Sequence, residues 1–142
     1  MSRKAESLKT YIALKRSINE IESKTRKYVG NFGLNLNEFA VLEILYHKGK
    51  RTTQQIKEGI LIANSSTTYI VDKLCDKGLV KREFAPEDRR VINVEITESG
   101  RKLMDELFPA HAEQLTANFD KLSEYDITEI RQLLKKMNGI KS

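Results

Sequence analysis

Residues 52–97 read TTQQIKEGILIANSSTTYIVDKLCDKGLVKREFAPEDRRVINVEIT, and the order of periods in this stretch decides the fold. Its first half keeps a helical period. Thr52 and Gln55 have the spacing of a capping box, and Ile56 and Ile60 are the apolar positions of a short helix over 53–59. After a tight turn, Asn64 or Ser65 is placed to cap a second helix over 64–77, with Thr67, Ile70, Val71 and Leu74 on its buried face. Gly78 stands where a left-handed residue ends such a helix. The period then drops to two. Residues 79–84 and 91–96 alternate as strands, and Ala85, Pro86, Glu87, Asp88, Arg89 and Arg90 join them as a charged hairpin tip. Helix, tight turn, helix and basic hairpin in this order form a winged helix-turn-helix.

That arrangement implies DNA chemistry. A major groove about 12 Å wide admits one helix, which must present short polar side chains at its entering end. Asn64, Ser65, Ser66, Thr68 and Tyr69 form such an end, and Lys73 follows one turn later. Gln54 and Gln55 open the preceding helix, where free N–H groups attract phosphate. Arg89 and Arg90 lie at the hairpin tip, and narrow minor grooves favour inserted arginine. Each feature has a plainer reading. Hydroxyls at a helix start are ordinary caps, and a charged turn is ordinarily just solvated. Their common order is what favours DNA.

Outward from this stretch the chain reads as helix. Leu8, Tyr11, Leu14, Ile18, Ile21, Thr25 and Tyr28 make a narrow stripe of the kind used against a partner helix, and residues 30–33 end it. Asn37 is placed to cap a helix through Tyr46, and Gly49 closes that helix. Downstream, Thr97 opens a helix carrying Leu103, Leu107, Leu115, Phe119 and Leu122, with a kink or short break expected at Pro109. Ser123 caps a last helix with Ile127, Ile130, Leu133, Leu134 and Met137. The expected class is α+β, mainly α.

Composition narrows the function. The 142 residues hold 25 Lys+Arg against 20 Asp+Glu, a net charge of +5. Residues 48–102 carry 12 basic and 8 acidic groups, a footprint expected of a phosphate-binding surface. No apolar run is long enough for a spanning helix, and residues 1–6 lack the apolar core of a signal peptide. A cytoplasmic protein is expected. Cys75 is the single cysteine, so neither an intramolecular disulfide nor a cysteine-built zinc site is available. His47 and His111 are the only histidines and show no ligand spacing, and no Gly-rich phosphate loop or nucleophile elbow is present. Neither an enzyme, a metal nor a cofactor is expected. Cys75 lies late in the reading helix and reads as off its apolar face. A thiol-based redox regulator stays open as an alternative, since such a thiolate needs access and a depressed pKa.

Leu36, Asn37, Leu42 and Gly49, then Ile70-Val71-Asp72-Lys73-Leu74 and Lys77-Gly78-Leu79-Val80-Lys81-Arg82, then Asp88-Arg89-Arg90-Val91 and Ile96-Thr97-Glu98-Ser99-Gly100, resemble the MarR family of bacterial transcription regulators. The resemblance runs in order through nearly the whole chain. It implies a homodimer, with residues 1–34 and 98–142 as the helical dimerisation region and 35–97 as the DNA-binding lobe. It implies reading helices in the major grooves of a near-palindromic operator and wings in minor grooves. Arg90 matches the inserted arginine, Asp88 the residue that orients it, and Arg89 a variable position that touches phosphate. Many members repress, and leave DNA when a small aromatic ligand binds between lobes and dimerisation helices. Others sense oxidants through a cysteine near the chain start, which this sequence lacks. Residues 37–43, 45–49, 69–74 and 107–111 are similar to the hydroquinone-responsive branch of the family. Tyr11, Phe39, Tyr46, His47, Phe108 and His111 are the effector-site candidates, near the expected junction of the first, second and fifth helices. Core packing and helix-end hydrogen bonding are the plainer readings of these side chains. The same lobe could instead dock a protein partner.

Overall fold

Helix ends set the frame. In the computed structural model, which describes residues 2–60 and 66–140, α1 (Arg3–Gly30) begins where the Ser2 side chain accepts from the Ala5 N–H. Next, α2 (Leu36–Lys48) is capped by Asn35 and not by Asn37. The reason is reciprocity. Glu38 lies three residues after Asn35 and returns a bond to its backbone N–H, whereas Asn37 has Ala40 at that position. The Thr52–Gln55 box forms as its spacing predicts and opens α3 (Thr53–Gly59), directly after the two-residue β1 (Arg51–Thr52). Two residues are too few to show alternation, so β1 has no signal in the sequence.

The reading helix α4 (Thr67–Asp76) starts later than predicted, with Ser66 at its N-cap position. Several adjacent polar residues are each competent to cap, so spacing alone cannot choose among them. Asn64 and Ser65 lie outside the described residues. After α4 come β2 (Val80–Ala85) and β3 (Asp88–Ile96), and the antiparallel sheet has the order β1-β3-β2. Only Pro86 and Glu87 form the turn, so Arg89 and Arg90 belong to β3 and not to a six-residue tip. The pairing jumps from Phe84↔Ile92 to Ala85↔Asp88, so β3 advances four residues while β2 advances one. Such an irregularity re-aims the side chains it carries.

Helix α5 (Glu98–Ala117) runs through Pro109 without the break considered from sequence. The chain divides into two compact units at this proline, Met1–Pro109 and Ala110–Ser142. In the second unit, α5 ends before Phe119 and Leu122, and α6 (Glu124–Met137) is capped by Ser123 with Asp126. Ile130, Leu133 and Met137 of α6 are exposed. In the first unit, Val29, Leu42, Leu45, Ile56, Val71, Leu74, Val94, Met104 and Leu107 are fully buried in one core. The predicted stripe of α1 splits: Thr25 is buried and Tyr28 half-buried, while Leu8, Tyr11 and Ile18 are each more than half exposed. No described helix is long and apolar enough to cross a membrane.

One knot joins the reading helix, the wing and α5. Gly78 takes φ 74°, and the Leu79 and Gly78 N–H groups donate back to the Leu74 and Cys75 carbonyls, a Schellman motif. The Leu79 carbonyl then accepts from the Thr97 N–H at 3.0 Å. Thr97 Oγ1 donates to the Gly78 carbonyl at 2.7 Å and accepts from the Gly100 N–H at 3.1 Å. A Cβ on residue 100 would sit 2.2 Å from the Leu79 oxygen. Gly100→Ala is therefore expected to lower stability by about 1–3 kcal/mol, because backbone must move to admit the methyl. Urea unfolding followed by circular dichroism measures this, and an unchanged midpoint would mean that α5 can shift freely.

Candidate nucleic-acid interface

An open groove lies between α3, α4 and the wing, lined among others by Thr52, Gln54, Lys57, Thr68, Arg82 and Arg90. Gln54 faces it while donating to Glu58 Oε1 at 3.1 Å. Gln55, the other candidate on α3, uses its side-chain oxygen on the Thr52 N–H, so it serves the helix cap. On α4, Thr68 and Tyr69 are exposed, and Lys73 Nζ lies 5.3 Å from the centre of the Tyr69 ring. These two side chains form an exposed cation–aromatic pair on the helix that sequence spacing assigns to the groove.

Arg82 and Asp72 escaped the sequence reading. Arg82 Nη1 contacts Asp72 Oδ1 at 2.6 Å, and Nη2 donates to the Thr68 carbonyl at 3.2 Å. The guanidinium thus staples β2 to α4, and the wing is fixed to the reading helix. The available signal was a basic residue just after the helix end, where the hairpin folds back over Asp72. Cys75 also departs from its reading: it is half-buried and packs against the core.

On the wing, Arg90 donates through its backbone N–H and Nε to Asp88 Oδ1, at 3.0 and 3.1 Å, and through Nη2 to Oδ2 at 3.3 Å. These bonds hold the Asp88 carboxyl below its usual range, the side-chain bond from Arg90 first and the backbone bond next. The Arg90 side chain is still 91% exposed. It is therefore a charged fork held at its base and open to solvent. Arg89 lies 5.9 Å from the centre of the exposed Phe84 ring.

The effector candidates separate. Tyr46, His47 and Phe108 form one cluster, with ring centres 5.0 Å apart for Tyr46–His47, 4.6 Å for His47–Phe108 and 6.1 Å for Tyr46–Phe108. Two α5 residues missed in the sequence complete it. The Tyr46 hydroxyl donates to Asp105 Oδ1, and Arg101 lies 5.6 Å from the ring centre. That hydrogen bond is the main cause of a raised Tyr46 pKa. Phe39 is in the hydrophobic core, the plainer of its two readings. Tyr11 stands exposed on α1, with Lys15 Nζ 5.9 Å from its ring centre. His111 is buried and belongs to the second compact unit.

Comparison with known proteins agrees with this architecture. The MarR family model matches residues 34–92. The HTH-type transcriptional regulator MhqR of Bacillus subtilis is 43% identical over 93% of this chain and 91% of its own length. Among solved structures, AbsC, a MarR family transcriptional regulator from Streptomyces coelicolor, superposes with a TM-score of 0.87 at 20% identity, covering 98% of this chain and 95% of that one. BpsR of Bordetella bronchiseptica, whose DNA binding is regulated by 6-hydroxynicotinic acid, gives a TM-score of 0.79 at 25% identity, covering 92% of this chain and 98% of that one. The chain belongs to the MarR family of winged helix-turn-helix transcriptional regulators.

Proposed function

We propose that this protein is a cytoplasmic homodimeric repressor that binds a near-palindromic operator and leaves it when a small aromatic molecule binds. The observation that carries the DNA reading is the Arg90 fork. A guanidinium tethered by Asp88 yet 91% exposed loses little freedom on entering a minor groove. The hydroxyl-rich start of α4 and the pair Tyr69–Lys73 support major-groove contact beside it.

The exposed Leu8, Tyr11 and Ile18 on α1 support the dimer, since a partner surface would remove this stripe from water. The effector reading rests on the Tyr46–His47–Phe108 rings with Asp105 and Arg101 at their edge. Flat rings with a few polar groups are the usual lining of a site for an aromatic ligand. The regulation of BpsR by 6-hydroxynicotinic acid offers a parallel within the fold. For release, the ligand must prefer the dimer conformation that cannot bind DNA. A hundredfold loss of affinity needs about 2.7 kcal/mol of coupling.

Selection of bound duplexes from a random pool, followed by gel shifts at graded salt, tests the DNA reading; binding insensitive to salt would overturn it. Light scattering at micromolar concentration is expected to give a dimer, and a folded monomer would refute the assembly. Arg90→Ala is expected to weaken operator binding by about 1–3 kcal/mol with unfolding unchanged. Asp88→Asn should weaken it in the same direction. Because Arg90 holds the Asp88 carboxyl below its usual range, that group stays ionised into the range where a free carboxylate would take up a proton, and protonates only at lower pH. The affinity gap between wild type and Asp88→Asn should therefore be constant from about pH 8 to about pH 5 and close only below that. Quinones, hydroquinones or related phenols are expected to release DNA from the wild type. Phe108→Ala is expected to blunt release and leave DNA binding intact, and equal release from both proteins would remove the ring cluster from the site.

A further inference from the structure

Lys77 joins three helix ends. It is the C-cap residue of α4, immediately before Gly78 and its Schellman turn. A matching turn closes α1: Gly33 takes φ 77°, Leu34 N–H donates to the Val29 carbonyl, and Gly33 N–H donates to the Gly30 carbonyl. Lys77 Nζ spans these two caps. It donates to the Gly33 carbonyl at 2.7 Å and pairs with Glu38 Oε2 at 2.8 Å.

Glu38 is only 4% exposed, and its other oxygen accepts from the Asn35 N–H at the start of α2. A buried carboxylate must be paired, so this joint has few alternative arrangements. The ammonium meets a carbonyl of the turn that closes α1 as well as the carboxylate that opens α2. One cation thus fixes the C-terminal end of the reading helix against the corner where α1 becomes α2.

We propose that Lys77 is a positioning residue for DNA recognition. Through Gly33 and Glu38 it sets the angle between the reading helix and α1, and so sets the spacing of the two reading helices in the dimer. This inference rests on the proposed dimeric reading, in which the α1 stripe is covered by a second copy. A lobe can bind its own half-site whatever its angle to α1. Only simultaneous docking of two lobes, about one DNA turn apart, depends on that angle.

The test uses the full-length protein and duplexes selected by the wild type from a random pool. Operators with one base pair added or removed between half-sites are compared with the parent, alongside a single half-site. One base pair moves the half-sites by about 34° and about 3.4 Å. The wild type is expected to lose about tenfold in affinity for either altered spacer, a penalty like that of a mismatched base. In Lys77→Met the penalty is expected to fall below about threefold, with half-site affinity within about twofold of wild type. Lys77→Arg, which keeps the positive charge and more than one donor, is expected to restore it. If Lys77→Met does not fold, the double variant Lys77→Met with Glu38→Gln removes the buried charge and keeps an acceptor for Asn35. A retained tenfold penalty in a folded variant lacking Lys77 overturns the proposal. So does equal loss of half-site and full-site affinity, which would mark Lys77 as a purely structural support of the lobe. A wild type indifferent to spacer length refutes the dimeric reading, and this role falls with it.

Discussion

The close approach of α5 to the Leu79 carbonyl is the constraint on which the rest of the first unit depends. That oxygen accepts from the Thr97 N–H, and Gly100 lies so near that any side chain would meet it at 2.2 Å. Leu79 directly follows the Gly78 turn that ends the reading helix, and it precedes β2. Thr97 directly follows β3 and precedes α5. Four elements are therefore referred to one peptide group. With the origin of α5 set, Asp105, Arg101 and Phe108 come to the side of α2 that carries Tyr46 and His47. The lobe and the aromatic cluster thus share a single geometric reference.

Legibility in the sequence followed the range of the interactions. The Thr52–Gln55 box, the Ser123 cap and the left-handed Gly78 are fixed by contacts within three or four residues, and each formed where spacing placed it. Asn37 failed as a cap because the second half of the exchange decides between neighbouring asparagines, and only Asn35 has Glu38 to return the bond. The wing was visible as two alternating runs around Pro86. Its turn was not, because the register jump beyond Phe84 depends on how the two strands pair, which a single run of residues does not record.

The candidate site divides in the same way. The Asp88–Arg90 fork, though it spans only two residues, was implied by the family resemblance, whereas the exposed face of α4 could be placed from spacing. Arg82 with Asp72 could not, since that pair exists only once the hairpin folds back along the reading helix. Asp105 and Tyr46 are separated by 59 positions. Periodicity assigns each to a helix face and says nothing about which faces meet. Phe39 shows the converse difficulty: an aromatic on an amphipathic helix looks identical in sequence whether it fills the core or edges a pocket.

Local anchoring of charge explains how so modest a net charge can still produce a directed surface. The chain carries only +5, so a diffuse positive field is a weak basis for orientation. Here several cations are individually held. Asp88 orients Arg90, Asp72 and the Thr68 carbonyl seat Arg82, and Glu38 with the Gly33 carbonyl seats Lys77. Two of these anchors do mechanical service, stapling wing to reading helix and reading helix to the α1–α2 corner. The third leaves its guanidinium in solvent. These three basic side chains therefore divide into two that lock the frame and one that the locked frame presents; all three have a carboxylate partner, and the exposure left to the cation separates the roles.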